Sequence, residues 1–216
     1  KMINKTAILI HLKTNSKRVK GKNFKKINSI PLYDITFRKL SDFLDYFDVY
    51  VDSSSEIFKR YAKKYKFNYI KRPKKLDLPH AQGNELIQNC LPKINNEIIV
   101  QLFVTNPFIK VKTIIKVINK LKRNKKYGSI TPVTPLNNRY WFNKREINHK
   151  YNKLIGTQYM KPIYIESGFY CFRKKAFLKE KSRISKKNKF YEISDLESFD
   201  IDTNLDLIIA NNILKK

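Results

Sequence analysis

The sequence predicts an α/β fold of three layers, with helices packed on both sides of a mostly parallel sheet. Short apolar runs rich in β-branched and aromatic residues recur along the chain, and segments with apolar residues at helical spacing lie between several of them. At 216 residues and 42% apolar content, the chain is long enough for one such domain and too apolar to stay disordered. Strand alternating with helix is the pattern of parallel sheets, whose neighbouring strands need a crossover connection.

The strand-like runs are residues 7–12 (AILIHL), 48–51 (DVYV), 67–70 (FNYI), 98–104 (IIVQLFV), 128–133 (GSITPV) and 163–172 (IYIESGFYCF). Helical spacing predicts helices over 31–44 (Leu32, Ile35, Leu40, Leu44), 54–65 (Ile57, Tyr61, Tyr65, after a Ser cap), 112–121 (Ile114, Ile115, Ile118, Leu121) and 204–214 (Leu205, Ile208, Ile209, Ile213). Residues 135–162 are polar, aromatic-rich and aperiodic, and read as an insertion or dimerisation lobe on a single domain spanning 1–216. Residues 179–189 (KEKSRISKKNK) read as an exposed or mobile loop. In sheets of this kind ligands bind at the carboxyl ends of the strands, which singles out the loops after Leu12, Val51, Val104 and Phe172.

The net charge is +28, from 46 Lys and Arg against 18 Asp and Glu. Such a surface attracts polyanions through a salt-sensitive field. It equally fits a compositional bias toward Lys, Asn, Ile, Tyr and Phe, as an AT-rich coding sequence would give, and the spread of lysines along the whole chain favours this second reading. The two cysteines, Cys90 and Cys171, are far apart in apolar settings, which argues against a zinc site and for buried thiols in a reducing compartment. With no leader-like or membrane-length apolar run, a soluble cytoplasmic protein with no membrane partner is expected.

Two segments carry candidate chemistry. The loop HLKTNSKRVKGKN follows the first strand. Backbone N–H groups in such a loop can cradle phosphate while lysines supply point charge, although neither a Walker A loop nor a GxGxxG pattern is present, and a solvated basic turn fits the residues as well. Near the C terminus, Asp200 and Asp202 stand two apart. In extended chain that spacing turns both carboxylates to one side, where they could share a divalent ion; Asp202 and Thr203 could instead cap the last helix.

The pattern K-x-x-S-K-R-V-x-x-K-N over residues 13–23 resembles the opening loop of cytidylyltransferases that activate sialic acid and related nonulosonic or ulosonic acids. In that family the loop typically reads Arg-Gly-Gly-Ser-Lys, then Ile or Leu, then Lys-Asn. The resemblance continues in order through YIKRPKKL, QGNELI, VQLFVTNPF, NNRYWF, GTQ, KPIYIESGFYCFRKKAF and SFDIDTNLDLIIAN, essentially the whole chain.

The resemblance implies a Rossmann-like nucleotidyltransferase fold with a mostly parallel, mixed sheet. It implies attack by the anomeric hydroxyl of a sugar acid on the α-phosphorus of CTP, giving a CMP-sugar and pyrophosphate. Mg²⁺ would sit on Asp200 and Asp202, which with Lys13 and Lys22 form the catalytic set. The nucleotide would meet Lys13, Ser16, Lys17, Lys22, Asn23, Arg72, Gly83 and Asn84, with Asn23 and Arg72 approaching the cytosine and ribose. The sugar acid would meet Phe103, Gln158, Glu166 and Tyr170, although Tyr170 fits a core position equally well. A homodimer is also implied, and Trp141 fits packing or a dimer contact.

The chain departs from the family pattern at several positions. Lys13 stands where Arg is usual, Thr14 and Asn15 replace glycines, Phe103 stands where Gln or Asn is common, and Gly156 occupies the place of an arginine. That last change removes a natural partner for the sugar carboxylate, with Lys144 and Lys161 the nearby cations that could substitute. The alternatives are a nucleotidyltransferase of the same fold with another acceptor or nucleotide, and a nucleic-acid-binding module. The second lacks a helix-turn-helix, an aromatic RNA-binding motif or a basic arm, so a nucleic-acid partner is not expected.

Overall fold

The computed structural model describes residues 5–14, 16, 19–78 and 80–214. In chain order the strands are β1 (Thr6–His11), β2 (Lys26–Ile27), β3 (Ile30–Pro31), β4 (Phe47–Ser53), β5 (Asn68–Lys71), β6 (Ile98–Leu102), β7 (Ser129–Leu136), β8 (Trp141–Phe142), β9 (Arg145–Glu146), β10 (Ile163–Glu166), β11 (Phe169–Arg173) and β12 (Asn188–Glu192). The helices are α1 (Leu32–Ser41), α2 (Glu56–Lys64), α3 (Gly83–Cys90), α4 (Val111–Arg123), α5 (Lys174–Glu180), α6 (Asp195–Ser198) and α7 (Asn204–Ile213).

Eight strands form one sheet. Across it the order is β12-β7-β11-β6-β1-β4-β5, with β10 pairing with β7 on the same side as β11. The pairs β6–β1, β1–β4, β4–β5 and β7–β12 are parallel, whereas β11 runs against both β6 and β7, and β10 against β7. The expected mostly parallel, mixed sheet is present. β1 is buried along nearly its whole length, as a central parallel strand must be, and its middle, Ala7–Ile10, is continuously apolar.

Alternation along the strands feeds two cores. Ile8, Ile10, Val49, Val51, Val100 and Leu102 face Tyr33 and Phe37 of α1, Phe58 of α2, and Ile114, Val117 and Leu121 of α4. Ala7, Leu9, Ile70, Ile99, Tyr170 and Phe172 face Ile87 and Cys90 of α3 and Phe177 of α5. A smaller cluster packs α7 (Leu207, Ala210) on Val19, Ile27 and Leu32, pinning the loop after β1 to the end of the chain. Both cysteines are free and buried, and burial pushes the Cys171 thiol up to about 12. No helix among the described residues is long and apolar enough to cross a membrane.

Two sequence expectations change. The run 163–172 is one strand interrupted by a bulge. Glu166 pairs with Val133 and Cys171 with Ile130, so five steps on this strand span three on β7. The irregularity falls at Ser167–Gly168. Gly168 has φ +82, and a Cβ there would lie 2.7 Å from Ile109 Cδ1, so only glycine fits. The segment 179–189 is not a free loop. It closes α5 with Lys181 in the left-handed conformation, buries Ser185 against Ser129 (Ser185 N to Ser129 Oγ, 2.9 Å) and enters β12. Its polar side chains read as solvent-facing in sequence because their partners lie in distant strands. Residues 135–162 hold the end of β7, the small β8–β9 hairpin and a single 3-10 turn at Thr157–Tyr159.

Candidate active site

The carboxyl ends of β1, β4 and β6 and the start of β11 meet along one edge of the sheet. At β1 and β4, His11 Nδ1 lies 2.7 Å from Asp52 Oδ2, and the same carboxylate oxygen receives Arg72 Nε at 2.7 Å and Nη2 at 2.5 Å. Arg72 Nη2 also donates to the Asp52 carbonyl at 2.8 Å, and Nη1 to Asp77 at 3.0 Å. Arg72, expected to reach the nucleotide, is only 3% exposed and is clasped by these acceptors, which fix it beneath the strand ends.

Burial lowers the His11 pKa, outweighing the pull of Asp52, so the ring is neutral at pH 7 and donates through Nδ1. For Asp52 burial pushes upward, but the hydrogen bond from His11 and the charge of Arg72 hold its carboxyl below the usual range. His11 Nε2 is buried with no hydrogen-bond partner among the described residues. The ligating atoms of His11, Asp52 and Cys90 lie within 4.8 Å of one another. A guanidinium already on Asp52 and a thiol kept protonated by burial suit these groups poorly for a cation.

The loop after β1 turns back on the end of the chain. Gly21 takes φ +63 to start the short 3-10 turn of Lys22–Phe24. Lys22 Nζ, largely buried, donates to Ile201 O at 2.7 Å and to Asp202 Oδ1 at 2.9 Å. Asn23 Nδ2 donates to Lys13 O at 2.8 Å, closing the loop on itself. The Lys13 side chain is exposed and Ser16 half-buried; Lys17 lies outside the described residues.

Ile201 N donates to Thr105 O at 2.9 Å, which seats the acidic segment beside the end of β6. Ile201 is fully buried, with exposed Asp200 and half-buried Asp202 on either side of it in the chain, the alternation of an extended segment. The cap of α7 is Thr203 with Asp206, whose Oδ2 accepts from Asp202 N (2.9 Å), Thr203 N (2.7 Å) and Thr203 Oγ1 (2.8 Å). Burial would raise the Asp206 pKa, but these bonds hold it below the usual carboxylate range. The capping role open to Asp202 in sequence is therefore filled by its neighbours.

On β11, Tyr170 Oη donates to Glu166 Oε2 at 2.5 Å, and burial, followed by this bond, pushes its pKa up to about 12. Phe103 meets the Tyr170 ring edge-on at 6.0 Å and 85°. Gly83 and Asn84 open α3 behind a capping box of Gln82 and Glu85. Gln158 is exposed on the lobe beside Gly156. Sequence reasoning missed His11, Asp52, Gln101 and Arg183, which gather on this same face. Gln101 gave a signal, a lone amide within an apolar strand that turns out 1% exposed; Arg183, in a lysine-rich stretch, gave none.

Solved structures share this architecture at low identity. A CMP:2-keto-3-deoxy-manno-octonic acid synthetase complexed with CTP superposes with TM-score 0.75 at 13% identity, covering 98% of each chain. A 4-diphosphocytidyl-2C-methyl-D-erythritol synthase from Anaerococcus prevotii gives 0.71 at 15%, covering 99% of this chain and all of the other. The bifunctional IspDF from Campylobacter jejuni gives 0.69 at 16%, covering 94% of this chain and 53% of the other. No curated protein matches. At these identities the likeness establishes fold. The family model described as cytidylyltransferase, however, matches residues 7–208, from β1 into α7, a span that holds the loop, the acidic segment and every strand end of this site, and the chain belongs to that family.

Proposed function

We propose that the protein transfers CMP from CTP to the anomeric hydroxyl of a sialic-acid-like nonulosonic or ulosonic acid, releasing pyrophosphate. The observation that carries this reading is the contact of Lys22 with Asp202, which draws the basic loop and the acidic segment into one site. CTP binding is supported by the family match and by the CTP complex of a structural neighbour.

Asp200 and Asp202 flank a buried isoleucine at a strand end, with a lysine on one of them, a donor set that suits Mg²⁺ shared with phosphate oxygens. When bound, that ion supplies charge neutralisation at the phosphates. Lys22 and Lys13 place further positive charge along the triphosphate, and Ser16 and the loop amides add hydrogen bonds. Asn23 holds the loop closed, Arg72 braces the floor, and the start of α3 at Gly83 and Asn84 borders the nucleoside. Glu166, Tyr170 and Phe103 line the acceptor side, and the exposed Gln158 on the lobe, beside Gly156, is a further contact that the family resemblance assigns to the acceptor. The lobe exposes Trp141, Phe142, Tyr151, Leu154 and Tyr159, an apolar surface that supports assembly as a homodimer.

Incubation with CTP, Mg²⁺ and a panel of nonulosonic and ulosonic acids is expected to release pyrophosphate with at least one acid. Folded protein that binds CTP but turns over none of them leaves a second reading, the same nucleotide with another acceptor. That reading is favoured by Phe103 in place of a polar side chain.

A further inference from the structure

We propose that Arg183 receives the carboxylate of the acceptor, supplying from the α5–β12 connection the cation that this chain lacks at position 156. The inference rests on the reading of the site given above.

Three elements fix the guanidinium. Nη1 donates to Gln101 Oε1 on β6 at 2.8 Å. Cζ sits 3.9 Å above the centroid of the Tyr170 ring on β11, a stacking distance. The Arg183 backbone N–H donates to Asn84 Oδ1 at the start of α3, 3.3 Å away. The neighbouring residue there has no side chain. A Cβ on Gly83 would lie 2.5 Å from Nη1 and 3.4 Å from Cζ, so the glycine leaves room for the arginine.

The charge so placed is unspent. Three other described arginines that are buried or anchored in the fold are ion-paired, Arg72 with Asp52 and Asp77, Arg38 with Asp34, and Arg173 with Glu97. The side-chain acceptor of Arg183 is a neutral amide, and no described carboxylate forms an ion pair with it. A guanidinium carries five N–H donors in a planar fork. One is used by Gln101, and the Tyr170 ring takes solvent from one face. A half-buried cation in that state favours an anion that can meet it two-pronged, as a carboxylate does.

The acceptor, not the triphosphate, is the anion within reach. The phosphates have their cations in the loop after β1, where Lys22 joins Asp202. Of the partners of Arg183, the start of α3 borders the nucleoside, while Gln101 and Tyr170 lie toward the acceptor side, where Tyr170 holds Glu166 and packs on Phe103, so the guanidinium stands where the two ligands meet. Gly156 cannot fill the role, and Lys144 and Lys161 are exposed on the lobe without comparable support.

Wild type, R183M and R183K are compared by saturation-transfer NMR and calorimetry. The probes are CTP with Mg²⁺, N-acetylneuraminate, 2-keto-3-deoxy-manno-octonate, and the methyl esters of the two acids. R183M is expected to lose acid affinity by about tenfold or more, and R183K, which keeps charge but not the fork, by a smaller factor. CTP affinity is expected to hold within about threefold, and the esters to bind wild type and variants alike. Equal acid affinity in R183M overturns the assignment, as does a loss of CTP affinity as large as that for the acids. Should R183M not fold, R183K decides between the same outcomes. Wild type that binds CTP but neither acid also overturns it, whereas wild type that does not bind CTP overturns the reading of the site beneath it.

Discussion

Lys22 Nζ lies 2.9 Å from Asp202 Oδ1 across 180 residues of sequence, tying the first loop of the chain to its last helix. The two side chains have different expected sensitivities. Asp202 is half-buried and α7 is capped without it, so Asp202→Asn should fold normally, with a thermal midpoint close to wild type. Its pyrophosphate release should fall by about 100-fold or more, because a carboxylate proposed to hold Mg²⁺ is lost and with it charge neutralisation at the phosphates. An active Asp202→Asn would remove this aspartate from the catalytic set. Lys22→Met should lose both activity and stability, the latter by about 1.5–3 kcal/mol for a charged, largely buried hydrogen-bond donor, measured by urea denaturation.

The cluster of His11, Asp52 and Arg72 should set the acid limb of stability. Folding depresses the His11 pKa, so the unfolded chain gains a proton there, from about pH 6.5 downward, that the folded chain refuses. This contribution is complete above that pH and is lost as the pH falls toward the folded value. Denaturation midpoints measured at pH 7.5 and 5.5 should therefore drop in wild type and drop less in His11→Gln. Identical slopes would show that the ring is not held neutral. Asp52→Asn takes from the buried guanidinium its closest carboxylate, leaving Asp77 and the Asp52 carbonyl, and should cost about 1.5–3 kcal/mol at neutral pH.

Tyr170 keeps its proton across the working pH range, because burial and Glu166 push its pKa up to about 12. Tyr170→Phe keeps the ring under Arg183 and the packing on Phe103 but deprives Glu166 of its donor. The acceptor KM should rise about five- to tenfold, the net worth of one hydrogen bond, with the CTP KM unchanged. A change confined to the CTP KM would place Tyr170 on the nucleotide side.

The exposed apolar lobe predicts self-association. Phe142 is 68% exposed and Trp141 54%. Phe142→Asp puts a charge into that surface and should shift the species seen by light scattering after size exclusion to the monomer. A wild-type monomer at micromolar concentration would remove the dimer from the proposal.

Much of this architecture was legible because buried parallel strands and amphipathic helices leave periodic marks. β1 is apolar from Ala7 to Ile10, α1, α2, α4 and α7 show helical spacing, and their observed bounds fall within a few residues of those expected. The loop with Lys13 and Lys22 and the Asp200–Asp202 segment stood out through their resemblance to a family pattern, since on local spacing alone a solvated turn and a helix cap fit them as well. Arg183 did not. Its surroundings are lysines and serines indistinguishable from a solvated turn, and its meaning comes from Gln101 and Tyr170, paired across strands β6 and β11. The role of Arg72 also depended on a residue the motif does not contain, Asp52, whose carboxylate claims it.

The bulge at Ser167–Gly168 sets a length. Residues four apart in an unbroken strand lie about 13 Å from one another. Glu166 and Tyr170 are four apart, and yet the phenol of one reaches the carboxylate of the other because the chain between them is gathered up. The bulge works as a ruler whose graduations are residues. Lengthening or shortening it by one residue resets the gap between the two groups while each half keeps a partner in β7. The spacing of these two groups is thereby open to change by insertion and deletion as well as by substitution.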